Sequence, residues 1–208
     1  MLENLPAWLG NALTNARAGH GKLALARLGG EGLLHRGGFT LRSAAFADGE
    51  ALDPSFTADE EDSVAPPLEW SAPPPGTHEL ALVVEDPDAP QSAQTPEPFC
   101  HWLVWGLAPR QGKLLEGEMP PRVGKNSFGN SEWLLPDPPT GQGPHDYVFQ
   151  LFALDTPLVL MPGAGRGDLI EAMKGHIVAA AVLTATYVRS DEEEWDEDGG
   201  GPSRLDRA

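Results

Sequence analysis

Asp86, His101 and His145 are a carboxylate and two imidazoles, each at or near one end of an apolar run. Such a set supports three kinds of chemistry. The imidazoles can donate hydrogen bonds to a phosphate or carboxylate, while the aspartate orients one ring and favours its charged form. The same groups can move protons as a general acid and base. Two histidines and a carboxylate can also make a facial metal triad. Each residue alone has a structural use as well. A histidine near a strand end is commonly a satisfied structural group, and an aspartate in Asp-Pro-Asp commonly shapes a turn.

Strands must bring these residues together. Leu80–Glu85, Phe99–Leu107 and Tyr147–Leu154 are rich in branched and aromatic residues and read as strands. Side chains alternate between the faces of a strand. Asp86 then continues the face of Leu80, Leu82 and Val84. His101 is expected to share a face with Phe99, Leu103 and Trp105, and His145 with Tyr147, Phe149 and Leu151. If the first strand is antiparallel to the other two, all three ends meet at one sheet edge.

Two rigid loops approach this edge. Asp86-Pro87-Asp88-Ala89-Pro90 fixes φ at two positions and biases the residue before each proline toward extended forms. Residues 137–145 make a second such approach, with Pro138, Pro139 and Pro144 punctuated by Gly141 and Gly143. Backbone N–H groups in such loops can add donors for an anion. Features that would favour hydrolysis are sparse. There is no Gly-x-Ser-x-Gly nucleophile elbow. Ser127 and Ser131 have no visible base partner, and Cys100 is expected on the face opposite His101.

The rest of the chain sets limits. Its 208 residues suit one domain with short appendages. Gly (24) and Pro (21) together exceed a fifth of the chain, which favours strands and turns over long helices. The formal net charge of −17, with no basic block, argues against nucleic acid and against anionic membrane surfaces. It leaves room for one pocket holding a small anion. A single cysteine, Cys100, rules out an internal disulfide, and no apolar stretch is long enough to span a bilayer. Without a signal-peptide pattern, a cytoplasmic location is expected.

Three zones are expected. Residues 1–37 form an N-terminal helical appendage and Gly-rich linker, with Leu5, Trp8, Leu9, Ala12, Leu13 and Ala16 at helical spacing. Its basic residues Arg17, Lys22, Arg27 and Arg36 outnumber the acidic Glu3 and Glu31. This helix is expected to cap the core or pack in a homodimer rather than touch a membrane. Residues 38–190 carry the domain, with further strands at Phe39–Ser43, Leu68–Trp70 and Ile177–Arg189 and a short helix at Asp168–Lys174 before Gly175. Residues 191–208 form a tail in which seven of the eight residues from Asp191 to Asp198 are acidic, a composition expected to be disordered.

At the residues of the first paragraph the sequence resembles the phosphatidylethanolamine-binding protein family, also called Raf kinase inhibitor-like. Pro66-Pro67-Leu68-Glu69-Trp70 resembles its Pro-Pro-Leu-x-Trp element, and Asp86-Pro87-Asp88-Ala89-Pro90 its Asp-Pro-Asp-Ala-Pro signature. His101-Trp102-Leu103-Val104 resembles the His-bearing strand. Residues 124–155 resemble the second signature, through Pro138-Pro139, Gly143-Pro144-His145, Tyr147 and Phe152-Ala153-Leu154-Asp155. The helix end Ala172-Met173-Lys174-Gly175-His176 is typical of bacterial members. The resemblance spans roughly residues 38–189.

It implies a mainly β fold, a central antiparallel sheet packed on a smaller second sheet with short peripheral helices. It implies a pocket for phosphate, phosphoryl headgroups or carboxylates, with Asp86, His101, Pro139, His145 and Tyr147 as the matching ligand-binding residues. Eukaryotic members regulate kinases and flowering, so a regulatory protein partner is one expectation, and acid–base hydrolysis in the same pocket is the alternative. Neither reading calls for a metal or another cofactor. The sequence departs from the pattern at Asp146, where an arginine is usual, at Ser127, and at Trp133, Leu134 and Leu135, which are expected to make the pocket wall bulkier.

Overall fold

The apolar run Leu80–Val84 becomes the centre of the molecule. In the computed structural model, which describes residues 5–13, 16–90 and 97–189, eight strands form two antiparallel sheets. They are β1 (Leu41–Arg42), β2 (Leu68–Trp70), β3 (Glu79–Asp86), β4 (Phe99–Leu107), β5 (Gly112–Leu114), β6 (Arg122–Val123), β7 (His145–Leu154) and β8 (Ile177–Tyr187). The large sheet has the order β6-β4-β3-β7-β8, and the small one β1-β2-β5. β3 lies between β4 and β7, and both faces of the sheet are covered, so every residue of β3 is buried. That is why its run Leu80–Val84 is continuously apolar rather than alternating.

One face of the large sheet packs on the small sheet and its loops. Leu80, Leu82, Val84, Tyr147, Phe149 and Leu151 meet Phe39, Leu41, Phe56, Leu68 and Trp70 there. Each fully buried Leu or Phe contributes about 1.5–3 kcal/mol by leaving water. The other face, with Ala81, Val83, Leu103, Trp105, Val148 and Phe152, is covered by α1 (Ala7–Ala12), a 3₁₀ turn (Ala18–Lys22), α2 (Ala24–Leu28) and α3 (Arg166–Met173). Leu9, Leu13, Leu23 and Leu25 are buried in that layer, and Leu34 bridges Ala180 of β8. The segment before Gly38 is therefore part of the second core layer, and its first helix is shorter than the spacing from Leu5 to Ala16 suggests.

α3 begins two residues earlier than its apolar pattern. The Asp168 carboxylate accepts the Gly165 N–H at 2.9 Å, satisfying a free donor at the positive end of the helix. It ends where Gly175 takes φ 82°, a left-handed conformation that suits glycine. The acidic tail, residues 191–208, lies outside the described residues.

β4 breaks the expected alternation. Val84 pairs with Trp102 and Glu85 with Cys100, which leaves His101 as an extra residue in a β-bulge. His101 and Trp102 consequently turn to the same face. Leu103 and Trp105 fall on the opposite face, not with His101 as simple alternation predicts. Cys100 also lies on that opposite face, as expected.

Candidate functional site

β3 is antiparallel to both neighbours, so its last residue meets the first residues of β4 and β7. At this edge Asp86, His101, Pro139, His145 and Tyr147 line one cavity of about 240 Å³. Ala89 and Pro90 form the wall after β3, Leu134, Leu135, Asp137 and Pro138 the wall before β7, and Phe99 and Phe128 the mouth. The cavity is mostly apolar with a few convergent polar groups, the usual composition of a small-ligand site.

Asp86 organises one side. Its Oδ1 accepts the N–H groups of Asp88 (2.7 Å) and Ala89 (2.9 Å), closing an Asx turn that fixes the loop. Its Oδ2 lies 2.8 Å from His145 Nδ1. That hydrogen bond, opposed in part by burial, raises the His145 pKa above its ordinary value. His145 is thus tied through Nδ1 to a carboxylate that favours its charged form.

His101 is set differently. Its Nδ1 donates to the Leu134 carbonyl at 2.7 Å, while Leu134 N–H donates back to the His101 carbonyl at 3.0 Å. Burial lowers the His101 pKa. A neutral ring whose Nδ1 carries the proton has an acceptor lone pair on Nε2. His101 Nε2 is buried and has no hydrogen-bond partner among the described residues. Tyr147 packs edge-on against this ring, with centroids 5.0 Å apart, and burial keeps its phenol neutral by pushing its pKa upward. The two histidines are therefore set in opposite directions, His145 toward its charged form and His101 toward its neutral one.

The departures from the family pattern take definite places. Leu134 and Leu135 make the wall apolar. Trp133 stands behind it, packed on His101, Trp102 and Phe149. Ser127 is structural, its Oγ accepting the Cys100 N–H at 2.8 Å. Asp146 does not line the cavity; its carboxylate lies 2.9 Å from Arg17 and 3.2 Å from His20, both from the N-terminal segment. The expected loss of a positive charge beside the ligand is therefore a change behind the pocket. Strand alternation could have predicted this, since Asp146 is out of phase with His145 and Tyr147. Its partner Arg17 carried no signal beyond its charge.

Among the described residues the lining includes no Ser, Thr, Cys or Lys. Cys100 is buried on the far face, where desolvation pushes its thiol pKa up. Among the described residues no cluster of three His, Cys, Asp or Glu side chains is arranged to hold a metal ion. None of their helices is long and apolar enough to cross a membrane.

Comparison with known proteins places the chain in a wider group. The family model described as phosphatidylethanolamine-binding protein matches residues 42–188. A UPF0098 protein of Methanothermobacter thermautotrophicus is 37% identical over 156 residues, 72% of this chain and 98% of that protein. LppC of Mycobacterium tuberculosis, named as a candidate lipoprotein, is 38% identical over 150 residues, 71% of each chain. A crystal structure of a candidate phosphatidylethanolamine-binding protein homologue from Chlamydia trachomatis aligns with TM-score 0.67 and 35% identity, covering 73% of this chain and 97% of its own. Escherichia coli YbcL aligns with TM-score 0.64 and 26% identity, covering 73% and 98%.

Proposed function

We propose that this chain, which belongs to the phosphatidylethanolamine-binding protein family, binds small anions in the Asp86–His101–His145 cavity, with phosphate and phosphoryl headgroups favoured over simple carboxylates. One observation carries the reading: the buried, unpartnered Nε2 of His101. A buried polar atom without a partner costs about 1–3 kcal/mol, so the site favours a ligand that supplies one. The His145 ring, held toward its charged form, attracts the anion's charge, and the His101 Nε2 lone pair accepts a hydrogen bond from it. A singly protonated phosphate or phosphomonoester offers both a charged oxygen and an O–H. A carboxylate offers only the first. Binding is the use that the two oppositely set imidazoles support, and a regulatory role would read out occupancy of this cavity.

Titration with phosphate and phosphoethanolamine, followed through the histidine ring resonances, tests the proposal. His101 and His145 are expected to shift together, and more with phosphate than with acetate. Unmoved resonances at millimolar ligand, or acetate binding as tightly as phosphate, would overturn it.

A further inference from the structure

The back of the pocket is held by residues that lie before the family-matched region. Arg17 Nη2 is 2.8 Å from Asp88 Oδ2 and 2.9 Å from Asp146 Oδ2, and its Nη1 donates to the Pro144 carbonyl at 3.3 Å. Asp88 Oδ2 also accepts the Asp146 N–H at 2.9 Å. Two carboxylates on the two segments flanking the Asp86–His145 pair are thus drawn together by one guanidinium nitrogen. Gly19 sits so close to the same loop that a Cβ there would lie 2.2 Å from the Pro87 carbonyl oxygen. His20, fully buried, accepts the Arg17 N–H on Nδ1 at 3.0 Å and turns Nε2 toward Asp146.

We infer that Arg17 is a positioning residue for the pocket: by joining Asp88 to Asp146 it holds the Asp86–Pro90 wall against the start of β7, so that the N-terminal segment sets the pocket's affinity for anions. The inference rests on the anion-binding reading above. It explains how Asp146 is tolerated where an arginine is usual in the family. The cation is kept, but it comes from a segment distant in sequence. Without Arg17, Asp88 and Asp146 face each other with no cation between them, and their repulsion opens the joint between the two loops.

The charged and titratable groups around His145 are Asp86 on β3, Asp88 on the following loop, His101 on β4, Tyr147 on its own strand, Tyr187 on β8, Asp137 in the loop before β7 and Arg17, with Asp146 and His20 behind. Arg17→Met unties the two walls, so the Asp86–His145 hydrogen bond that chiefly holds the His145 pKa up loosens and the His145 titration moves downward.

The test uses the full chain and inorganic phosphate. Arg17→Met is expected to weaken phosphate binding at least about tenfold, and Asp146→Asn in that background to recover most of the loss. Arg27→Met, in the same segment but paired with Glu97 on the surface, is expected to bind as the parent does. Should Arg17→Met fail to fold, Arg17→Gln carries the same expectation. Parent-like affinity in the Arg17 variant, or an equal loss in Arg27→Met, would overturn the inference. If the parent chain itself does not bind phosphate, the anion reading falls, and the ligand-free His145 titration decides alone. A downward shift in Arg17→Met supports the positioning role, and an unchanged or raised midpoint refutes it.

Discussion

Glu85 and Asp86 are neighbours in sequence and opposites in use. Alternation sends them to different faces of the large sheet, and each centres a buried polar cluster. Around Glu85 the polar groups are joined. Its Oε1 meets Arg166 Nε, and its Oε2 accepts from Ala24 N–H (2.8 Å) and Gln150 Nε2 (2.7 Å). Gln150 Oε1 in turn accepts the Leu25 N–H at 2.7 Å, and Arg166 reaches Glu97 (2.6 Å) and the Lys22 carbonyl (3.0 Å). Around Asp86 the cluster stops short, leaving His101 Nε2 unpartnered. A saturated buried network locks elements together; one with a vacant acceptor beside a cavity has room for something else. The same strand thus anchors the N-terminal segment with one face and builds the candidate site with the other.

The contrast predicts different consequences for damage. The largest effect is expected on the saturated side. Arg166→Met leaves the Glu85 carboxylate buried without its cation and should cost about 3–5 kcal/mol of stability in denaturant unfolding. The folded fraction should still bind phosphate. Equal loss of both properties would break the distinction between the two clusters.

On the pocket side, His145→Ala is expected to weaken phosphate binding by about 1.5–3 kcal/mol, roughly ten- to a hundredfold, through loss of a charged donor. Its stability should change less than that of Arg166→Met. Calorimetric titration of both variants beside the parent makes the comparison.

A pH series separates the two histidines. The folded pKa of His145 is raised, so its stabilising contribution is full below the unfolded value of about 6.5 and is lost as pH rises through the folded value. That of His101 is lowered, so its contribution is present above about 6.5 and is lost as pH falls through the folded value. Phosphate affinity should fall on the alkaline side with His145, and His145→Gln should flatten that fall. An affinity that is level from about pH 6 to about pH 9 would remove the imidazolium from the account.

The smallest effect is expected at the surface. Lys174→Ala breaks only an exposed pair with Glu171 at 3.7 Å and should shift stability by less than about 0.5 kcal/mol.

Much of this was legible in the residues. The long strands β3, β4, β7 and β8 announced themselves through branched and aromatic runs, and β2 through Leu68-Glu69-Trp70. β5 and β6 did not, because strands of three and two residues are too short for a period to show. Five of the residues that line the cavity, Asp86, His101, Pro139, His145 and Tyr147, were nameable from motif and phase. The phase of β4 failed beyond His101 because a bulge shifts alternation by one residue, and a bulge is decided by how two strands pair rather than by either sequence. Asp146 looked like a change inside the pocket because its neighbour His145 belongs there.

Residue type and order alone determined that a carboxylate, two imidazoles and a phenol would sit at strand ends beside proline-rich loops. Those are local properties, set by side-chain period and restricted φ. Only the folded chain decided that the two imidazoles differ, since their ionisation and tautomers depend on Asp86 and on the Leu134 carbonyl, partners 59 and 33 residues away. It also decided that Arg17 stands behind them, across 71 residues from Asp88. Hydrogen bonds and charges act over a few ångströms of space, and separation along the chain does not record that distance.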